Sequence, residues 1–212
     1  MRDNATDAGN QQETTSFNKL MGSSETIRRA PLVKRQVIKA YLFGAMHDGT
    51  IRENRYRIAQ KGTEWLRVIQ SLLVSIDYKS WIYQEGRNRD VYILESVSPI
   101  FRESFDPGIL GDSKEIEAFI RGFFDAEGGI PRSLTAKKYI QLVQKDYLKM
   151  VLLKELLTKL SISTGKIHNP SKRVDPNYWR LFVSMPSIPR FVSKVGSWHP
   201  RKHAIFQQWM KI

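Results

Sequence analysis

Residues 120–128 read Ile120-Arg121-Gly122-Phe123-Phe124-Asp125-Ala126-Glu127-Gly128, and an imperfect copy, Tyr41-Leu42-Phe43-Gly44-Ala45-Met46-His47-Asp48-Gly49, sits at 41–49. Each copy ends an apolar helical run with an acid and then a glycine. A single acid-glycine pair is an ordinary turn. Two of them, each launching a similar downstream stretch, make the chain a tandem repeat, and a two-copy repeat implies a pseudo-twofold axis. If the two acid-ended helices lie on that axis, Asp48 and Glu127 meet at its base.

The rest of the chain supports the duplication. Apolar residues spaced by three and four predict helices over 32–46, 63–76, 113–126, 146–160, 187–195 and 201–211. Asp112 is placed to cap the third of these. Extended stretches are expected at 51–60 and near 138–144, and strand pairs at 79–84 with 90–96 and near 165–168 with 177–184. Segment 57–61 matches 141–145, Trp65-Leu66 matches Tyr147-Leu148 with a one-residue offset, and 91–96 matches 179–184. The unit is αββαββ, used twice. The expected division is a polar, disordered leader over 1–26, one half over 27–105, a linker over 106–112 and a second half over 113–212.

Charge narrows the partner. The chain has 34 Lys and Arg against 21 Asp and Glu, a net charge of +13. Such a surplus suits a polyanion, because neutralising phosphates releases their counterions. The basic residues are spread along the chain, which fits nucleic acid better than a membrane surface. Cysteine is absent from the sequence, so disulfides, Cys-zinc sites and Cys nucleophiles are excluded. No apolar run reaches the length of a membrane span and no hydrophobic signal core precedes the repeat, so an intracellular, soluble protein is expected, in cytoplasm or nucleoid if prokaryotic.

The acids carry the chemistry. A carboxylate at a helix C-terminus faces the negative end of the dipole, at a cost of a few tenths to about 1 kcal/mol. Two such carboxylates brought together also repel. A divalent cation removes both penalties, and carboxylate oxygens are ligands that Mg²⁺ prefers.

This constellation resembles the LAGLIDADG homing endonucleases in their single-chain, two-motif form. The second motif fits from Gly122 to Gly128. In the first, alignment on the acid sets Phe43 where the family has a small glycine and Gly44 one place late; alignment on Gly44 puts Gly49 at the acid position. The acid register is preferred, since Asp48-Gly49-Thr50-Ile51 then pairs with Glu127-Gly128-Gly129-Ile130.

The resemblance implies an α+β fold of two pseudo-symmetric αββαββα half-domains with antiparallel, saddle-shaped sheets laid along the DNA major groove. It implies a monomeric, intron-encoded hydrolase that cuts double-stranded DNA at a long site with Mg²⁺ or Mn²⁺. Asp48 and Glu127 become the metal ligands, Gln60 and Gln144 the polar residues near the reactive water, and Lys202 the base beside the scissile phosphate. The first half, ending around 101–103, has no clear counterpart of Lys202. Asp125 is expected to cap or pair locally, His47 to be a surface or interhelical histidine, and Trp81, Trp179 and Trp198 to be core or half-core.

Candidate DNA contacts are Arg52, Asn54, Arg55 and Arg57 in the first half, with Arg87 and Arg89 at its turn. The second half offers Lys137, Lys138, Lys166, His168, Lys172 and Arg173. Arginine suits guanine edges and lysine suits phosphates. Two further readings use the same surface: an RNA-binding maturase acting on intron RNA, and a DNA-binding regulator with a dead site.

Overall fold

A computed structural model describes residues 32–52, 54–102 and 105–211. The leader expected over 1–26 lies outside these residues. The first half runs α1 (Leu32–Ala45), a 3-10 turn (Met46–Asp48), β1 (Gly49–Arg52), β2 (Arg55–Gln60), α2 (Glu64–Ser75), β3 (Ser80–Gln84) and β4 (Tyr92–Ser96). A 3-10 turn at Pro107–Ile109 lies between the halves. The second half runs α3 (Ser113–Glu127), β5 (Gly128–Gly129), β6 (Gln141–Gln144), α4 (Tyr147–Lys159), β7 (Trp179–Phe182), α5 (Ile188–Lys194) and α6 (Pro200–Trp209). Each half folds its strands into an antiparallel sheet, ordered β1-β2-β4-β3 and β5-β6-β7.

The extended stretch expected over 51–60 forms the first strand pair of the unit as a tight hairpin, with Arg52 opposite Arg55. In the second half, β7 pairs with β6. The 165–168 segment forms no strand of its own: it meets β7 through the bridge from His168 to Arg180 and the Gly165 N–H to Phe182 O bond, and a further bridge joins Thr164 to Val183. Caps behave as the side chains dictate. Asp112 accepts from the Lys114 N–H at 2.5 Å, and Asp146 accepts from the N–H groups of Leu148 and Lys149 at the start of α4.

Alternation decides which way each sheet faces. Tyr56, Ile58 and Leu94 in the first sheet and Leu142 and Leu181 in the second are buried, while Arg55, Ala59, Trp81 and Tyr83 on the opposite parity are exposed. Period-two alternation therefore turns one face of each sheet to the apolar core; the other is exposed at Arg55, Ala59, Trp81 and Tyr83 in the first sheet, where Ile93 and Glu95 of the inner strand are buried among them, and half-buried in the second. Trp81 is exposed at 39%, which corrects its expected place as core or half-core.

The helices show the true spacing of the repeat. Leu66, Ile69, Leu72, Leu73 and Ile76 are buried, and so are Met150, Leu153, Leu156, Leu157 and Leu160, each 84 positions later. Both helices end alike. Asp77 and Ser161 adopt positive φ (68° and 58°), and the next residue's N–H bonds back to Leu73 O and Leu157 O, each at 2.9 Å. Leu148, at 76% exposure, is therefore not the partner of buried Leu66, and the Trp65-Leu66 to Tyr147-Leu148 match was misplaced. The strand match also slips by one. Ile58 pairs with Leu94 and Leu142 pairs with Leu181, so Leu181 corresponds to Leu94 rather than to Ile93. A slip of one residue inverts the assignment of faces.

The halves meet where α1 crosses α3. A Cβ on Gly44 would lie 2.1 Å from Phe119 O and 2.6 Å from Phe123 N; a Cβ on Gly122 would lie 2.0 Å from Tyr41 O and 2.8 Å from Ala45 N. The contacts are reciprocal: each glycine touches the backbone three residues before and one residue after the other. Gly44 and Gly122 are therefore the symmetry-related pair, not Phe43 and Gly122. Phe43 turns aside and stacks on Phe105 at 4.1 Å.

Candidate active site and nucleic-acid face

Below the crossing the register changes. Gly49 pairs with Ile58 as Gly128 pairs with Leu142, so these two glycines correspond at the start of the strands. The first motif thus has one residue fewer between helix crossing and sheet. Its backbone absorbs the deficit by ending α1 at Ala45 and winding Met46–Asp48 as a 3-10 turn, whereas α3 stays α-helical through Glu127. Three 3-10 residues rise about 6 Å, as far as about four α-helical residues. Asp48 and Glu127 consequently both occupy the last position before the first strand of their halves. Neither single register described the motif: the glycine alignment holds in the helices and the acid alignment in the sheets.

Around Glu127 the helix end is neutralised from below. Lys202, on α6, is buried at 3% exposure, and its ammonium donates to Phe124 O (2.5 Å), Asp125 O (3.0 Å) and Gly128 O (2.8 Å). These carbonyls carry the negative end of the α3 dipole, so Lys202 supplies the positive charge that a helix C-terminus favours. The structure thus places Lys202 beside the second acid, held by backbone rather than extended into solvent. The first half has nothing in its sequence to match it.

Asp125, whose backbone carbonyl accepts from this lysine, has a buried side chain. It accepts from Tyr41 OH (2.8 Å), from the N–H groups of Trp198 and His199 (2.9 and 3.1 Å) and from Ser197 OH. Trp65 Nε1 donates in turn to Tyr41 OH at 3.0 Å. Burial pushes the Asp125 carboxyl upward, against the pull of Lys202 and these donors. Its role is larger than the expected local cap, because it ties α1 and α3 to the segment that launches α6 and so positions Lys202. The residues it gathers lie far apart in sequence, and no local signal marked them.

Gln60 and Gln144 end β2 and β6. Gln144 accepts from the Lys145 N–H (2.7 Å), and its amide lies 3.4 Å from His47 Nδ1 across the interface between halves. His47 is thus interhelical, with its ring edge-on to Phe123 at 4.8 Å. Burial lowers His47 to about 4, helped by Lys149; burial likewise lowers His199 to about 4, helped by Lys202 and Arg201. Both imidazoles are neutral in the folded state while the unfolded chain protonates them near pH 6.5. Their folded pKa values lie below the unfolded ones, so the unfolded state binds more protons between pH 6.5 and 4. Stability should fall as pH drops through that window, by on the order of 1–2 kcal/mol per imidazole after allowance for partial exposure. Urea denaturation at pH 7.5 and 4.5 measures this. In His47→Gln the drop should shrink, and an unchanged drop would exclude His47 as a source.

The open face of the first sheet carries a charged network. Arg55 donates to Glu95 Oε1 (3.1 Å), Tyr83 OH donates to Glu95 Oε2 (3.1 Å), and Arg57 donates to Tyr83 OH (3.2 Å). These hydrogen bonds and the nearby guanidiniums hold the Glu95 carboxyl below its usual value, although desolvation acts the other way and is the largest single influence. Asn54, Arg87 and Arg89 sit exposed at the turns of this sheet, and Arg52 closes β1. In the second half Lys137, Lys166, Lys172 and Arg173 are exposed, while Lys138 lies over the Trp209 ring at 5.9 Å.

Carboxylate oxygens, which Asp48 and Glu127 both carry, are hard donors that suit Mg²⁺ or Mn²⁺. Among the described residues no cluster of three or more His, Cys, Asp or Glu would cage a metal unaided. A cation here would need further ligands from water and from a bound polyanion. No described helix is long and apolar enough to cross a membrane.

The family model described as LAGLIDADG-like domain matches residues 114–196. The matched residues lie within the second half, which is similar over that stretch to a LAGLIDADG-like domain. The matched LAGLIDADG segment contains the regularly spaced motif, and the half outside it contains the motif shortened by one residue. Known structures extend the fold to both halves. I-DmoI in complex with DNA and Mn has 20% identity and a TM-score of 0.56, covering 76% of this chain and 97% of that one. I-DmoI in complex with DNA and Ca has 19% identity and a TM-score of 0.59, covering 82% and 98%. Full-length DUF199/WhiA from Thermatoga maritima has 17% identity and a TM-score of 0.61, covering 89% of this chain and 66% of that one. No curated protein matches the sequence. The architecture is therefore the LAGLIDADG fold, α+β with antiparallel sheets, and that fold is shared by a named homing endonuclease and by WhiA.

Proposed function

We propose that this chain is a site-specific, divalent-metal-dependent endonuclease of double-stranded DNA. The observation that carries the reading is the retained acid of the shortened motif. The first half has lost a residue, yet its backbone rewinds so that Asp48 still stands just before the strand, where Glu127 stands in the second half. A fold kept only for binding has no need of an acid at that place, where it opposes a helix dipole. I-DmoI, which shares the fold, is known in complex with DNA and Mn.

In this reading Asp48 and Glu127 would hold the cation, which would supply charge stabilisation at the scissile phosphate and help activate the attacking water. Gln60 and Gln144 orient that water by hydrogen bonding. Lys202 fixes the end of α3 and contributes positive charge near the phosphate. The basic open faces of the sheets grip the duplex, with arginines toward bases and lysines toward phosphates. Residues 27–105 and 113–212, joined by 106–112, are the two halves of one monomer, so no second copy is needed to complete the acid pair.

Incubating the full chain and Mg²⁺ with a library of random duplexes tests the reading. Cleavage should be confined to a narrow set of long sites and should need the metal. A chain that binds duplex DNA but cuts none of the library with Mg²⁺ or Mn²⁺ would instead be a regulator built on the same scaffold.

A further inference from the structure

The two open sheet faces differ at corresponding positions. Because Ile58↔Leu94 corresponds to Leu142↔Leu181, the pair Gln141↔Phe182 stands where the first half has Arg57↔Glu95. In the first half the buried Glu95 carboxylate holds Arg55 directly and Arg57 through Tyr83, and Arg57 Nε is buried without a hydrogen-bond partner. In the second half an aromatic ring replaces the carboxylate. Phe182 stacks with His168 at 5.8 Å and meets Tyr139 edge-on at 6.1 Å. Arg180 lies over the Phe182 and Tyr178 rings, at 5.9 and 5.2 Å, and spends an Nη2 donor on Tyr178 OH at 3.1 Å. The first face presents guanidiniums tethered to a carboxylate; the second presents an aromatic ring in the carboxylate's place, with the Arg180 guanidinium packed against it.

We propose that the second sheet selects thymine through its 5-methyl group, so that the two halves of the target differ in base preference. This rests on the duplex-DNA reading above. The thymine methyl is the apolar group that a base edge offers in the major groove, and Phe is a side chain suited to meet it. The first face, with forked donors, suits guanine O6 and N7 instead. RNA is disfavoured on two counts: uracil lacks the methyl, and the A-form major groove is too deep and narrow for side chains to read.

Duplexes enriched by binding to the full chain, without metal, supply the probe. Thymine should be enriched in one half-site. Replacing thymine by deoxyuracil there should weaken binding about fourfold per contacted methyl, against less than about twofold in the other half. Phe182→Ala should abolish that penalty. Tyr139→Gln, which removes the ring against Phe182 at a position 36% exposed, should reduce it, with an unchanged denaturation midpoint showing that the fold is kept. Equal tolerance of deoxyuracil in both halves, or a penalty undiminished in both variants, overturns the proposal while leaving duplex binding intact. Enrichment of no duplex sequence overturns this proposal and the endonuclease reading together.

Discussion

Gly122→Ala should destabilise the protein by about 3 kcal/mol or more, an overpacking cost at the upper end of the usual range. The added Cβ would lie 2.0 Å from the Tyr41 carbonyl oxygen, and backbone cannot swing away as a long side chain can. Whole helices must separate instead, and α1 against α3 is the junction on which both halves depend. Against a total stability of about 5–15 kcal/mol, that is a large fraction. Gly44→Ala should cost a similar amount, because its Cβ would meet Phe119 O at 2.1 Å. The double variant should cost less than the sum, since one separation relieves both clashes. Denaturant midpoints of the three variants test this. A Gly44→Ala protein as stable as the parent would mean that Gly44 is not at the crossing and that the glycine register is wrong.

The second large effect concerns chemistry. Glu127→Gln keeps the side chain's shape and removes its charge. If Glu127 holds a cation, the loss of several kcal/mol of charge stabilisation should slow cleavage about 10³-fold, while duplex affinity in the absence of metal changes by less than about threefold. Asp48→Asn should behave alike, and neither variant should yield doubly cut product from a supercoiled plasmid carrying the selected site. Cleavage by Glu127→Gln within a few fold of the parent would remove Glu127 from the metal site. Gly122→Ala and Glu127→Gln separate cleanly: the first should act on denaturation and the second on turnover.

Much of this was legible in the chain. The acid-glycine repeat, the helical spacing of residues 32–46 and 113–126 and the cap at Asp112 point to duplicated α+β halves, and the basic surplus points to a polyanion partner. Local rules account for these, because capping and amphipathic periodicity act over a few residues. The misreadings share one cause. Segment matches such as Trp65-Leu66 with Tyr147-Leu148 aligned residue types, whereas the structure aligns buried positions, and Met150 rather than Leu148 fills the place of Leu66. The strand match slipped by one for the same reason.

Sequence by itself determined the elements, their duplication and the acids at their ends, since hydrophobic period and helix termination are local properties. Tertiary structure alone decided that Gly44 and Gly122 pair while Gly49 and Gly128 also pair. No rigid alignment holds both; only a three-dimensional backbone can trade an α turn for a 3-10 turn and recover the missing rise. It also decided that Lys202 serves the end of α3 and that Asp125 gathers Tyr41, Ser197 and Trp198. Those contacts join residues more than 70 positions apart, and they exist because burial forces each polar group to find whichever partner the fold brings near.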